Sequence, residues 1–280
     1  MTMAKYGMVI DVGRCVGCYN CFLACHDEHV GIDHLPIAAA QPESGHRWID
    51  IKVREQGAFP AVKVSHTPVP CLQCENAPCM AADKNGAITR RPDGIVLIDP
   101  KKAAGQRALV DACPYGVIYW NTAANTAQKC TFCAHLLDDG WKQPRCVEVC
   151  PTQALVFGDL NDPASAVAQR AAEPAIEDLR PELNTQPLVR YIGLPRRFVC
   201  GEVVLADQAE QPAPGVSVTL RRGSEVLTAT TDSYGDFEFK GVTPNEQYLL
   251  QVSHPGYAAR EIRVSTQTDA SLGAVQLDKV

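Results

Sequence analysis

Cys15-Val-Gly-Cys18-Tyr-Asn-Cys21-Phe-Leu-Ala-Cys25 is the stretch that decides the fold of this 280-residue chain. Twelve of the thirteen cysteines lie between Cys15 and Cys150, and Cys200 stands apart from them. A cysteine density this high is typical of small secreted proteins held together by disulfides, but this chain is longer than such proteins. The start, residues 1–10, has no apolar signal stretch, so we expect a reducing compartment. In a reducing compartment, cysteines at fixed short spacing indicate metal ligands and not disulfides.

Iron–sulfur chemistry explains the spacing of the first cysteine run, residues 15–25. In the order Cys-x2-Cys-x2-Cys-x3-Cys, three thiolates from one loop hold one [4Fe-4S] cluster and the fourth reaches a neighbouring cluster. A final run over residues 130–151, Cys-x2-Cys-x12-Cys-x3-Cys-Pro, follows the same logic with a loop inserted. Pairing the two runs predicts two clusters, one held by Cys15, Cys18, Cys21 and Cys150 and the other by Cys130, Cys133, Cys146 and Cys25.

The middle of the cysteine-rich region predicts a third cluster. Cys71-x2-Cys74-x4-Cys79 supplies three thiolates, and Cys113 supplies a fourth without a triplet of its own. The position where a further ligand would follow Cys79 holds Asp83, which is either an oxygen ligand or a surface carboxylate. The prediction is therefore three [4Fe-4S] clusters that use all twelve cysteines of the region, with the ligands of a fourth cluster lost.

Zinc and disulfides are the alternatives for these cysteines. Zinc sites also use Cys-x2-Cys pairs, but they need two pairs or added histidines, and the closely spaced first run suits zinc poorly. Cys200 lies in a predicted strand, which favours a buried structural thiol. His26, His66 and His135 lie close to cysteines in the sequence. They either tune a cluster by hydrogen bonding to sulfur or serve as ordinary loop and core histidines.

Changes in composition divide the chain into three parts. Residues 1–157 hold the cysteine runs and predict an α+β, ferredoxin-like iron–sulfur domain of the duplicated bacterial-ferredoxin type. Residues 158–198 predict a connector with a short helix that starts at Asp162-Pro163, because Asp is a good N-cap and Pro suits the first helical position. Residues 199–280 contain short β-rich runs punctuated by turn residues, which predict a C-terminal all-β sandwich of the prealbumin-like or immunoglobulin-like kind.

Composition excludes several classes of function. Hydrophobic residues make up 46% and charged residues 21%, which is normal for a packed globular protein. The net charge of −6 argues against a nucleic-acid binder, which should be basic. No apolar run approaches the roughly 18 residues that span a bilayer, so we expect no direct membrane insertion. We expect a cytoplasmic protein, and periplasmic location by co-export with a partner stays open.

Several motifs resemble a known family. The cysteine layout is similar to the four-cluster electron-transfer subunits of the dimethyl sulfoxide reductase superfamily, with one cluster deleted. Within that group the chain resembles the small subunits of pyrogallol–phloroglucinol transhydroxylase and of the resorcinol hydroxylases, from the N-terminus to about residue 198. The motifs that carry this likeness include Cys74-Glu-Asn-Ala-Pro-Cys79, Cys113-Pro-Tyr-Gly-Val117, Gln128-Lys-Cys-Thr131 and Cys133-Ala-His-Leu-Leu-Asp-Asp139.

The resemblance implies a partner and a division of labour. A large catalytic subunit, in a heterodimer or a higher assembly, would hold a molybdenum (or tungsten) bis-pterin cofactor and act on polyhydroxylated aromatics. The present chain would relay single electrons and would carry no catalytic residue, and a resorcinol-type hydroxylase would also use an external electron acceptor. The alternatives are a subunit of a respiratory molybdenum reductase of the polysulfide, dimethyl sulfoxide or nitrate type, or a free-standing multi-cluster ferredoxin.

Overall fold

A computed structural model describes residues 3–59, 61–208 and 211–280. The chain forms two compact units. The first comprises the described residues of 1–53 together with 65–194, and the second those of 54–64 together with 195–280. All twelve clustered cysteines therefore belong to the first unit, and Cys200 belongs to the second.

The helices of the first unit are short. None of the helices in the described ranges is long and apolar enough to cross a membrane. Single turns of 3-10 helix occupy Val12–Arg14 and Pro181–Leu183. The α-helices are α1 (Asn20–His29), α2 (Pro78–Ala82), α3 (Ala108–Asp111), α4 (Ala134–Asp138), α5 (Arg145–Glu148) and α6 (Ala166–Ala171).

The strands up to residue 194 form one four-stranded sheet and three two-stranded ribbons within the described residues. The ribbons pair β2 with β3, β4 with β5 and β6 with β7, and residues 54–64 of the first ribbon are counted with the second unit. The strands are β1 (Tyr6–Asp11), β2 (Ile49–Ala58), β3 (Ala61–Pro70), β4 (Ile88–Arg90), β5 (Val96–Ile98), β6 (Tyr119–Asn121), β7 (Thr126–Gln128), β8 (Leu155–Asp159), β9 (Ile176–Glu177) and β10 (Val189–Ile192).

The four-stranded sheet has the order β8-β1-β10-β9 and anchors the first unit. Strand β1 runs parallel to β10 and antiparallel to β8. Met8, Ile10, Val189 and Tyr191 are almost completely buried there, because the apolar side chains of both central strands pack into the same core as the cysteines. The predicted connector, residues 158–198, thus supplies a central strand of this sheet.

The helix of that connector begins later than the sequence predicts. Helix α6 starts at Ala166, and the side chain of Ser165 caps it by accepting a hydrogen bond from the Ala168 N–H at 3.1 Å. Asp162 instead accepts a hydrogen bond from the Ala164 N–H at 2.9 Å. The prediction of a start at Asp162 was wrong because this local turn occupies the aspartate.

The second unit is a two-sheet β sandwich, as the sequence predicts. One sheet has the order β14-β11-β17 and the other the order β13-β12-β15-β16. Alternate residues such as Val218, Leu220, Leu250 and Val252 are fully buried in the shared core, which is the period of two that a one-sided sheet requires. The strands are β11 (Phe198–Leu205), β12 (Ser217–Arg222), β13 (Glu225–Thr230), β14 (Asp236–Lys240), β15 (Gln247–Ser253), β16 (Arg260–Ser265) and β17 (Ala270–Leu277).

Two valine substitutions in the same sheet test this core. Val252 is 0% exposed in β15, so Val252→Ala is expected to cost about 2 kcal/mol through two lost methyl groups and a small cavity. Val226 is 51% exposed in β13, so Val226→Ala should cost less than about 0.5 kcal/mol. Hydrogen exchange on the full chain measures both. The strands should exchange about 30-fold faster in the first variant and stay unchanged in the second.

Candidate metal centres

Residues with positive φ angles shape the cysteine loops. Tyr19 (φ 61°) stands directly before α1, and Cys133 (φ 49°) stands directly before α4. The left-handed conformation reverses the chain locally, so each loop curls back before its helix begins. Gly17 (φ +66°) is needed in the first loop, because a Cβ atom there would lie 2.4 Å from the ring of His66. The short spacings of the sequence therefore become tight turns that point several thiols inward.

The structure brings together Cys15, Cys18, Cys21 and Cys150. Burial raises the pKa of Cys21 to about 12, and the neighbouring thiols of Cys15, Cys150 and Cys18 contribute to this rise. Burial is also the main cause of the raised pKa of Cys15, with Cys150 and Cys18 as neighbours. Since residue 150 lies at the other end of the cysteine region, this group joins the first run to the last.

A second group consists of Cys25, Cys130, Cys133 and Cys146, all of which are buried. Burial raises the pKa of Cys25 well above its ordinary value, and the three other thiols of the group add to this effect, followed by Cys21 of the first group. Burial also raises the pKa of Cys133 to about 12. Phe132, another residue with positive φ, donates its backbone N–H to the Sγ of Cys130 at 3.5 Å.

The third group is the middle one, formed by Cys71, Cys74, Cys79 and Cys113. These four residues line one cavity, whose apolar walls include Leu72 and Val117. Burial raises the pKa of Cys74 to about 12 and that of Cys79 to about 11, and the thiols of Cys71 and Cys113 contribute to both.

These groups have the donor chemistry of iron–sulfur centres. Each contains four thiols, which is the ligand number of a [4Fe-4S] cluster. Where the pKa is raised, as at Cys21, Cys25 and Cys74, an isolated thiolate is costly in these surroundings, whereas coordination to cationic iron compensates the charge. The cysteine residues of the described chain are free rather than joined in disulfides. The residues present therefore fit iron–sulfur clusters.

A buried lysine lies beside two of the groups. Lys129 is 2% exposed and donates hydrogen bonds from Nζ to the carbonyl oxygens of Val96 and Cys130. After the dominant effect of burial, its positive charge moderates the pKa of both Cys79 and Cys130. Lys129 thus supplies positive charge between the second and third groups. Its burial could not be predicted from the sequence, because nothing in the spacing of the cysteines marks this lysine.

Asp83 and the three histidines near cysteines in the sequence each have a local contact in the structure. Asp83 accepts hydrogen bonds from the backbone N–H of Ile88 at 2.7 Å and of Asn85 at 3.1 Å, so its carboxylate organises a turn. His26 is hydrogen bonded to the carbonyl oxygen of Glu43 at 3.1 Å. His135 pairs with a carboxylate oxygen of Glu28 at 2.9 Å, and His66 packs against Gly17.

His29, which the sequence analysis missed, lies against a cysteine sulfur. Its Nε2 is 3.9 Å from the Sγ of Cys133, and the residue is 1% exposed. Burial lowers the pKa of His29 to about 3, and the neighbouring His135 and His34 contribute to this, so the ring is neutral at pH 7. The signal was present in the spacing, since His29 follows Cys25 by four residues and so lies on the same face of α1.

The fold and the three thiol groups define an iron–sulfur protein. Residues 62–160 match the family described as "4Fe-4S dicluster domain", and residues 200–277 match the "Carboxypeptidase regulatory-like domain". The pyrogallol hydroxytransferase small subunit of Pelobacter acidigallici is 42% identical to this chain over 98% of its length and 100% of the relative's. The chain belongs to the family of that small subunit, which confirms the resemblance seen in the sequence.

Other relatives place the family among the iron–sulfur subunits of larger oxidoreductases. A subunit of the tetrathionate reductase of Salmonella typhimurium is 36% identical over 70% of this chain and 75% of its own. The arsenate respiratory reductase iron-sulfur subunit of Shewanella sp. is 31% identical over 67% of this chain and 96% of its own. The predicted class, an iron–sulfur electron-transfer subunit, is confirmed.

The charge of Lys129 should tune the neighbouring clusters. A unit charge at roughly 10 Å with an effective dielectric constant of about 20 contributes about 1.7 kcal/mol, or about 70 mV for one electron. Lys129→Met should therefore lower the reduction potential of at least one cluster by several tens of millivolts in an EPR-monitored redox titration. Lys101→Met, at an exposed position of the same unit, is the control and should change nothing. Unchanged potentials in a Lys129→Met protein with full iron content would contradict the assignment.

Proposed function

We propose that this chain carries single electrons to or from a molybdenum (or tungsten) bis-pterin site in a large partner subunit that acts on polyhydroxylated aromatics. The observation that carries the proposal is the match to the pyrogallol hydroxytransferase small subunit, at 42% identity over 98% of this chain. The matches to the tetrathionate and arsenate reductase subunits have 36% and 31% identity and cover 70% and 67% of this chain. The transhydroxylase or resorcinol-type hydroxylase assignment therefore has the stronger support.

The proposed cofactors of this chain are three [4Fe-4S] clusters. Support comes from the three thiol groups, since neighbouring thiols of the same group contribute to the raised pKa of Cys21, of Cys25 and of Cys74. A domain of the duplicated bacterial-ferredoxin type also requires the first and last cysteine runs to lie together. The middle run is then the second half of the duplication, in which the ligands of one cluster are lost. The proposed ligands are Cys15, Cys18, Cys21 and Cys150 for one cluster, Cys25, Cys130, Cys133 and Cys146 for another, and Cys71, Cys74, Cys79 and Cys113 for the third.

The residues of this chain hold and shield the electron carriers. A [4Fe-4S] cluster supplies one-electron chemistry with a potential set by charge, hydrogen bonds to sulfur and solvent exposure. The thiolates bind iron, and the apolar residues around them exclude water. Lys129 supplies a positive charge beside two of the thiol groups. We assign no catalytic residue to this chain, so substrate binding and hydroxyl transfer belong to the partner.

A respiratory reductase subunit is the second candidate function. It is favoured by the likeness to the tetrathionate and arsenate reductase subunits. Such a complex would deliver its electrons from a membrane quinone pool, whereas an aromatic hydroxylase or transhydroxylase would reduce or oxidise its carriers through the phenolic substrate. Reduction of the clusters by a polyhydroxylated benzene in the purified complex would favour the first candidate over the second.

Iron content tests the proposed ligands. The full chain, prepared with its partner, should hold about twelve irons in three clusters besides any iron of the partner. Cys74→Ala should lower the content by about four irons and remove one reduced-cluster EPR signal. Cys200→Ala is the matched control, because Cys200 is also a poorly exposed thiol, and it should leave iron unchanged. Bound zinc, or a loss of iron only in Cys200→Ala, would overturn the cluster assignment.

Dependence on an electron acceptor separates the two aromatic activities. A transhydroxylase is redox-neutral overall, so the purified complex should turn over at the same rate with and without an artificial acceptor. A resorcinol-type hydroxylase releases two electrons per turnover and should stop when the acceptor is omitted. A complex that shows neither activity on polyhydroxylated aromatics, but reduces tetrathionate or arsenate, would contradict the proposed substrate class.

A further inference from the structure

One histidine ring is packed against a proposed ligand sulfur. His29 is the last residue of α1, one turn after Cys25, and is almost completely buried. Its ring lies 4.5 Å from that of Trp48, centroid to centroid, and its Nε2 lies 3.9 Å from the Sγ of Cys133. A buried imidazole is expensive to desolvate unless it makes a polar contact, and this sulfur contact is the one the structure provides for Nε2.

The acceptor determines which nitrogen carries the proton. An iron-bound thiolate has no proton to give, so the Cys133 sulfur can only accept, and the Nε2 of His29 must be the donor. The Nδ1 of His29 is buried and has no hydrogen-bond partner among the described residues, which fits a bare lone pair there. The ring therefore directs its Nε2–H bond at the sulfur of Cys133.

Two further histidines hold this ring in place. His34 and His135 stack on each other with ring centroids 3.7 Å apart. Each of their centroids lies 5.2 Å from that of His29 in an edge-to-face arrangement. Glu28 fixes both of them, since its carboxylate pairs with His135 at 2.9 Å and its carbonyl oxygen with the Nε2 of His34 at 2.9 Å. The direction of the His29 N–H is therefore set by packing on several sides.

Other side chains that approach the proposed ligands are less restricted. The Thr152 hydroxyl lies 3.8 Å from the Sγ of Cys150, and the Thr185 hydroxyl interacts with Cys74. A hydroxyl hydrogen can rotate toward another acceptor, and Thr185 also pairs with the Tyr115 hydroxyl at 2.6 Å. The ring of His29 has no comparable freedom, so its effect on the sulfur should be constant.

We propose that His29 is a positioning residue that raises the reduction potential of a single cluster, the one held by Cys25, Cys130, Cys133 and Cys146, through an N–H···S hydrogen bond to Cys133. The inference rests on the proposed function, because it requires Cys133 to be an iron ligand. Reduction adds negative charge that is shared with the thiolates, so a donor aimed at the sulfur stabilises the reduced state more than the oxidised state. The contact involves one sulfur of one group, so the other two clusters should not respond.

The test is a redox titration of the full chain in its complex, followed by EPR. His29→Phe keeps an aromatic ring of similar size and removes the donor. The midpoint potential of one cluster should become more negative by about 59 mV. At the original midpoint, the ratio of reduced to oxidised cluster then falls about tenfold. The other two midpoints and the iron content should not change. His29→Gln, which keeps an N–H donor, should show a smaller negative shift than His29→Phe.

His26→Phe is the matched control. His26 lies on the same helix, but its ring bonds to the Glu43 carbonyl oxygen instead of a sulfur, so all three midpoints should stay where they are. An unchanged set of midpoints in a His29→Phe protein that retains three clusters overturns the role of His29 and leaves the proposed function intact. A wild-type chain without three clusters overturns the proposed function instead.

A spectroscopic measurement on the wild-type protein covers the case in which His29→Phe does not fold. Labelling histidine with ¹⁵N should produce a nitrogen hyperfine coupling at one reduced cluster, together with a strongly coupled proton that exchanges in D2O. The same labelled signal should persist in His26→Phe. Absence of any histidine coupling from the three reduced clusters would overturn the hydrogen bond directly.

Discussion

The first unit depends on bringing together thiols from distant parts of the chain, most of them buried or partly buried. Burial raises the pKa of Cys21 and Cys74, so the charged forms of these thiols are poorly tolerated without a cationic partner. Iron–sulfur clusters fit this requirement, and the short helices and left-handed turns of the unit can be understood as the means of aiming thiols at common centres. The hydrophobic core and the ligand groups are the same region, since several cysteines belong to the apolar cluster around β1.

Charge and dipole act on these centres in different ways. Lys129 carries a full positive charge and affects thiols of two groups, so its influence is broad. His29 is neutral and contacts one sulfur, so its influence is local. Such a combination allows neighbouring centres of the same composition to differ in electron affinity, which a relay between a substrate site and another redox partner requires.

Local structure could be predicted from the sequence better than long-range packing could. The proximity of cysteines within one run could be anticipated, because spacings of two and three residues are fixed by tight turns such as the one at Tyr19. The assignment of the runs to three ligand sets stays a prediction. The start of α6 was mispredicted, because the choice between Asp162 and Ser165 as the cap depends on a turn that the sequence does not reveal. His29 was overlooked for a similar reason. Its spacing of four residues from Cys25 is a signal in the sequence, but its contact with Cys133 is visible only in the packed structure.

The joining of distant cysteines has a consequence for biosynthesis. Cys21 neighbours Cys150, and Cys25 neighbours Cys146, so two of the three thiol groups are completed only after the last cysteine run has left the ribosome. The middle group closes earlier, at Cys113. Nascent chains must therefore keep four early thiols reduced and unblocked while more than a hundred further residues are translated. With the proposed ligands, assembly of the two clusters that join distant cysteines comes later in synthesis than assembly of the cluster held by the middle group.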